Sequence, residues 1–289
     1  MYRSIFIIFL IAFYSTVSSV AQEIKRPAMW GIPKITYLVS NYSLAQRYYG
    51  EFLGFAKAFS YASPLGEVVS YKINDRQFIE FVQDPKAKDK DRLVSVSFET
   101  ENAEQMRLYL KSKGITVPEN ITVDGAGNKV FTVHDPSGIP VEFLEWGPKS
   151  LHRASKGKFL SPDRISDRMH HVGLYSLKLE DNPSFYTEIL GFKTILRVPE
   201  DMSQQPQILY FQMPGTAEFI EHYPTDTRAF SHPCFVAKDM QEVIYTLKER
   251  KKDEQLAAPM IGKGRRWLLN IYTSDGTRVE FTEMFLARL

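Results

Sequence analysis

Hydrophobic and polar positions along this chain predict short strands alternating with amphipathic helices. Runs rich in β-branched and aromatic residues read as strands: Lys34-Ile-Thr-Tyr-Leu-Val39, Arg92-Leu-Val-Ser-Val-Ser-Phe98, His171-Val-Gly-Leu-Tyr175 and Ser231-His-Pro-Cys-Phe-Val236. Between them apolar residues recur at helical spacing, as at Leu44, Tyr48 and Phe52. Gly54 and Gly191 then supply the left-handed turn that ends a helix. Further β-rich runs cover 68–73, 77–82, 207–212 and 217–223. In the last strand Arg278, Glu280 and Thr282 share one face, and Val279 and Phe281 share the other. That parity predicts one face lining a polar cavity and one packed under helices.

The order of elements returns along the chain. Tyr49-Gly-Glu-Phe-Leu-Gly-Phe55 reappears as Tyr186-Thr-Glu-Ile-Leu-Gly-Phe192, each at a helix end. A second strand–helix–strand–strand unit follows each copy, with helices at 103–113 and 240–251. Asp135-Pro-Ser-Gly138 and Ser274-Asp-Gly276 mark the last hairpins. The expected fold is α+β, with four βαβββ modules forming two curved-sheet domains at 30–146 and 168–286. The segment 147–167, rich in Lys, Arg, Ser and Pro, is the expected linker.

Composition narrows the setting. The chain has 289 residues, 44% of them hydrophobic, which suits two ordinary cores. A formal net charge of +2 implies no charge-driven affinity for nucleic acid or an acidic membrane. Arg3, the apolar run 5–13 and the small residues Ser19 and Ala21 read as a signal peptide over 1–21, hence a secreted or periplasmic protein. No membrane association is expected once it is removed. Cys234 is the only cysteine, so no internal disulfide forms, and its apolar strand makes it a buried filler.

The recurring helix ending and the terminal "DPSG…E" pattern resemble the vicinal oxygen chelate superfamily, which includes glyoxalase I, fosfomycin-resistance proteins and extradiol dioxygenases. The resemblance covers nearly all of the chain after the signal peptide. It implies a curved sheet closing on a cavity in each module pair, with metal ligands from first and last strands. Carried onto this sequence, it points to His171, His232 and Glu280 in the second pair. The matching positions of the first pair are Lys34, Ser95 and Glu142. A protonated lysine does not bind metal, so the first site is expected to be degenerate, with Lys34 paired to Glu80 or Glu142.

Two histidines and a carboxylate suit a divalent first-row ion with open positions for substrate and oxygen. The resemblance thus implies a non-haem Fe(II) dioxygenase-like enzyme acting on a small chelating phenol or keto acid. Glu221 is a fourth candidate ligand. With it the set is glyoxalase-like and suits Ni or Zn, with Mn also open, in a lyase or isomerase. A protein that binds and sequesters a small molecule is a third alternative. The extradiol pattern has gaps: Asn270 stands where those enzymes carry a tyrosine, with Tyr272 a weak substitute, and no histidine lies between Pro233 and Asn270. Among the other histidines, His134 is expected at a surface turn, His152 in solvent, and His222 pointing away from Glu221. Strand alternation places His170 on the face opposite His171. A small-molecule substrate is the implied partner, and a homo-oligomer is left open.

Overall fold

A computed structural model describes residues 24–86, 92–224, 231–251, 256–272 and 277–287. The expected signal peptide and the 274–276 turn lie outside the described residues. The first sheet contains β1 (Met29–Val39), β2 (Ala56–Ser63), β3 (Gly66–Lys72), β4 (Phe78–Gln83), β5 (Leu93–Thr100), β6 (Thr122–Val123), β7 (Lys129–His134) and β8 (Pro140–Glu145). Its strand order is β2-β3-β4-β1-β5-β8-β7-β6. The second contains β9 (Met169–Ser176), β10 (Lys193–Val198), β11 (Ile208–Gln212), β12 (Phe219–Pro224), β13 (His232–Ala237), β14 (Met260–Ile261), β15 (Trp267–Tyr272) and β16 (Arg278–Glu283). Its order, β10-β11-β12-β9-β13-β16-β15-β14, is that of the first sheet. Each sheet centres on an antiparallel pair, β1–β5 or β9–β13, flanked by the parallel pairs β1–β4 and β5–β8 or β12–β9 and β13–β16. This is the expected α+β architecture of βαβββ modules in two curved sheets.

Sequence reading missed the outer strands β2 and β10. Both are half-exposed edge strands, so neither carries a clean apolar face to announce it. The helices α1 (Ala103–Ser112) and α2 (Met240–Arg250) begin at Asn102 and Asp239, whose side chains accept from backbone N–H groups of the first turn. The repeated motif forms a wider helix. Leu53 N donates to Tyr48 O and Leu190 N to Phe185 O, five residues back in each case. Gly54 and Gly191 follow at φ of 75° and 71°, the left-handed turn that the sequence required. The 147–167 segment is not plain linker: it holds a short helix, Leu151–Ala154.

One apolar core runs through both halves, with Tyr48, Phe52 and Phe98 in the same cluster as Phe185, Leu247 and Phe281. Polar contacts cross the same boundary in matched pairs. Tyr49 Oη donates to Thr277 Oγ1 at 3.2 Å, and Tyr186 Oη donates to Asp135 Oδ2 at 2.9 Å. Gln77 brackets the Met169 backbone, accepting from its N–H and donating to its C=O, both at 2.9 Å. Glu218, at the equivalent place before β12, accepts from Ile32 N at 2.5 Å.

Burial raises the Glu218 carboxyl to about 7, although Ile32 N–H, Arg76 and Arg168 pull it down. The folded chain therefore keeps a proton that the unfolded chain releases near the ordinary value of 4.5. Stability falls as pH rises from about 4.5 to about 7 and stays lost above that, by roughly 3 kcal/mol at most. We expect Glu218→Gln, which installs the residue found at position 77, to flatten this slope. Its thermal midpoint by circular dichroism should change less between about pH 5 and about pH 8 than that of the parent chain. Equal slopes in the two proteins would mean that another group titrates.

Candidate metal centre

The four central strands of the second sheet each bring one donor to the same place. His171 comes from β9, Glu221 from β12, His232 from β13 and Glu280 from β16, and their donor atoms all lie within 4.8 Å of one another. All four side chains are buried. His171 Nε2 is 3.3 Å from Glu221 Oε1 and 3.3 Å from Glu280 Oε1, and His232 Nε2 is 3.8 Å from Glu280 Oε2. Register makes the meeting possible. Gly173 pairs with Glu221 on one side and with His232 on the other. A Cβ at position 173 would come within 2.1 Å of His232 Cε1, so the imidazole occupies space that glycine leaves free.

His170 does not point away from His171, because alternation fails at this point. The β9–β13 ladder pairs Cys234 with His171 and Phe235 with Met169, skipping His170. The extra residue is a β-bulge, which re-aims its side chain. His170 Nδ1 lies 2.9 Å from His171 Nδ1, and Arg266 Nη1 reaches His170 Nε2 at 3.2 Å. Arg266 can only donate, so the His170 proton sits on Nδ1 and is directed at His171. A ligand role for His171 Nε2 requires the reverse polarity, with the His171 proton on Nδ1 and Arg266 released.

A polar layer supports the two carboxylates. Arg278 donates to Glu280 Oε2 at 3.0 Å and is itself held by Asn270 Oδ1 and Tyr175 Oη at 2.7 and 2.9 Å. Asn270, noted in the sequence as an extradiol gap, thus positions an arginine. Tyr223 Oη donates to Glu221 Oε2 at 3.0 Å and lies 2.9 Å from Tyr210 Oη. Burial pushes the Glu221 carboxyl up, with Glu280 adding to the push and His171 opposing it. Burial acts on Glu280 in the same sense, but His171, His232 and Arg278 outweigh it and hold that carboxyl at about 2. The set fits a divalent ion. Donors around an ion at about 2.0–2.2 Å sit roughly 3–3.5 Å apart when adjacent, close to the spacing found. His171 Nε2 and Glu280 Oε1, buried and 3.3 Å apart, face each other without good hydrogen-bond geometry, which a shared cation would remedy.

The first half places an ammonium where the second gathers these donors. Lys34 Nζ lies 3.0 Å from Glu80 Oε2 and 3.2 Å from Glu142 Oε1, so it pairs with both expected carboxylates. Burial alone would lower the lysine pKa, yet Glu142 and Glu80 push it well above its usual range. Glu80 is held well below the usual carboxylate range by Lys34, His152 and Tyr61 in spite of its burial. His152 is therefore not solvated. It is 2% exposed, packs edge-on against Phe59 and Phe78 and tilted against Trp146, and reaches Glu80 Oε1 at 3.0 Å. Its short helix, unseen in the basic composition of 147–167, carries it inward. Ser95 is buried on β5 but offers no imidazole.

His134 is exposed at the end of β7. His222 is buried against Tyr186 and Phe211 and bonded to Ser176 and Asn182, on the face away from Glu221. Tyr272 is 55% exposed and takes no place in the cluster. Cys234 is buried as expected, but it pairs in register with Glu280, and the nearby carboxylates and burial push its thiol well up. Tyr210, Tyr223 and Arg266 escaped the sequence reading. Only the parity of Glu221 with Tyr223 along β12 could have signalled one of them. A cavity of about 250 Å³ opens beside the cluster, lined by His170, His171, Tyr210, Phe219, Glu221 and Arg266 among others.

No protein-family model matches this chain, and no curated protein matches it in sequence. Solved structures share its fold. The Mn(II)-bound glyoxalase from Novosphingobium aromaticivorans superposes with a TM-score of 0.68 at 15% identity, over 89% of this chain and 83% of that one. A 2,3-dioxygenase from Pseudomonas sp. KL28 gives 0.66 at 14% identity, over 91% and 96%. Homoprotocatechuate 2,3-dioxygenase from Arthrobacter globiformis gives 0.68 at 14% identity, over 90% and 81%. At such identities the likeness establishes the fold alone.

Two substitutions separate the halves. Gly173→Ala should displace His232 and weaken Mn(II) or Zn(II) binding by at least about tenfold in calorimetry, with the fold retained. Unchanged affinity would mean that His232 is not a ligand. Lys34→Ala leaves the buried Glu80 and the partly exposed Glu142 without their cation and should cost about 3 kcal/mol in urea unfolding. A cost below about 1 kcal/mol would place that pair among weak surface contacts.

Proposed function

We propose, from the vicinal-oxygen-chelate fold of this chain, that His171, Glu221, His232 and Glu280 hold one divalent first-row ion in an enzyme for small substrates with two adjacent oxygens. The buried donor set supports this reading, since two carboxylates and two imidazoles make a site for Mn, Fe, Ni or Zn. The bound ion supplies Lewis acidity, polarising a substrate carbonyl or acidifying a hydroxyl. Glu221 decides the reaction class, and its place inside the cluster is the observation that carries the choice. As a fourth ligand it would help to hold the ion that polarises the substrate's paired oxygens. As a free carboxylate it stands beside the substrate with Tyr223 and Tyr210 behind it in hydrogen-bond contact. Either state suits moving a proton on the carbon next to a polarised carbonyl, as in an isomerase or lyase. Phe219 stacks on His171 at 4.6 Å and shields this end of the cavity from water.

The second reading is an Fe(II) dioxygenase-like oxidoreductase. Several of the similar solved structures are 2,3-dioxygenases or extradiol ring-cleaving dioxygenases, and His171, His232 and Glu280 form a two-histidine, one-carboxylate face. In this reading Glu221 would stand off the ion and the two-histidine, one-carboxylate face would hold it. Export by the 1–21 segment belongs to the same proposal and would keep the enzyme away from cytosolic thiol cosubstrates.

Metal-loaded protein should exchange the α-proton of an α-hydroxyketone with solvent deuterium and consume no oxygen. Glu221→Gln should slow that exchange by about 10²–10⁴-fold. His232→Ala should release the metal. Oxygen uptake with catechols by the Fe(II) protein, undiminished in Glu221→Gln, would establish the oxygenase instead.

A further inference from the structure

We propose that Arg266 is a specificity-determining residue, and that the substrate carries a carboxylate on a small apolar frame in addition to its paired oxygens. This inference deepens the metal-enzyme reading above and rests on it. The cavity beside the cluster has apolar walls from Ile195, Leu196, Phe219, Leu268 and Leu286. Its remaining side is the 262–266 turn between β14 and β15, which contributes Lys263, Arg265 and Arg266. Walls of this kind accept a hydrocarbon body, and the turn sets positive charge at its edge. At about 250 Å³ the space suits a single ring or a short chain.

The turn is fixed in place. Gly262 N donates to Arg266 O at 2.9 Å, Arg265 N to Gly262 O at 2.9 Å, and Ala287 N to Arg265 O at 2.7 Å. Arg265 adopts φ of 59°, which a non-glycine residue holds only where its surroundings impose it. A rigid turn presents its cations without an ordering cost at binding.

Arg266 has no carboxylate partner among the described residues. Its Nη1 meets the His170 imidazole at 3.2 Å and the Met284 thioether at 3.9 Å. Arg278 and Arg107, by contrast, each have a glutamate oxygen within 3.0 Å. Once a divalent ion offsets Glu221 and Glu280, the cavity holds an excess of positive charge. A planar guanidinium facing such a space pairs best with a carboxylate, through two parallel N–H···O bonds.

Calorimetry on Mn(II)-loaded protein tests this with catechol and 3,4-dihydroxybenzoate as probes. The carboxylated probe should bind the parent chain at least about tenfold more tightly. Arg266→Gln should erase that preference and leave catechol affinity within about twofold, and Arg266→Lys should keep part of the preference. Equal affinities in the parent, or a preference that survives Arg266→Gln, would overturn the inference. A metal-free arm compares benzoate with benzyl alcohol. If the protein takes up no Mn(II), a benzoate preference lost in Arg266→Gln sustains the carboxylate site while the metal reading fails. No benzoate preference in that arm overturns the carboxylate site as well.

Discussion

Two carboxylates buried at the centre of a curved sheet demand a positive charge, and the rest of this structure is arranged around that demand. The second half has such a pair in Glu221 and Glu280, and the first has the buried Glu80 beside Glu142, which is partly exposed. Isolated buried carboxylates cost several kcal/mol each unless a cation meets them. The first half carries its cation covalently, as the ammonium of Lys34, and closes the remaining space with Tyr61 and His152. The second has imidazoles at the equivalent strand positions and meets part of the charge with Arg278. Arg278 reaches one oxygen of Glu280 and leaves the other facing His171. The divalent ion proposed above would complete there what lysine completes in the first half.

The sheet determines which side chains can answer the demand. Parallel pairing on both sides of a central antiparallel pair brings four strands together at one point, so one residue from each strand can converge. Two local departures from regular structure sharpen the site. Glycine at 173 admits the His232 ring over the strand. The bulge at His170 turns a residue that would have faced away into a partner for His171, and through it links the cluster to Arg266. As the rings stand, one hydrogen-bonded chain joins His171 to the cationic turn at the mouth, and a ligand role for His171 Nε2 would break it at Arg266.

The fold was legible because its signals are periodic. Helical spacing ending at Gly54 and Gly191, and paired strands of fixed order, survive without knowledge of tertiary contacts. His171, His232 and Glu280, with Glu221 as a fourth candidate, were legible through the family resemblance carried onto the recurring modules, and they do meet in space. What sequence could not show is where a rule of local geometry breaks. Period-two alternation sends His170 outward, and only the pairing of β9 with β13 reveals the bulge. Basic composition sends His152 into solvent, yet four helical residues and an aromatic pocket bury it. The turn at 262–266 carries no periodic signal, so its position over the cavity depends wholly on how β14 and the chain end near Ala287 pack.

The first half also has a mechanical part in the candidate site, which explains how a pair of modules without imidazole ligands contributes to it. Gln77 clasps both backbone groups of Met169, the first residue of β9, two positions before His171. Asn74 adds a bond to Asp167 O at 2.9 Å, just ahead of the same strand. The entry of β9 into its sheet is therefore held by side chains from the other sheet, immediately before the bulge. A bulge adds a residue without a ladder partner, so the strand around it depends on anchors at either side. Gln77 supplies the upstream anchor, and the Gly173 pairings with Glu221 and His232 supply the downstream one. With the strand fixed at both ends, the His171 ring is held between its carboxylate neighbours. A shift of the two halves against each other would be felt first at that ring, because the shared core and the Gln77 clasp leave the boundary little independent freedom.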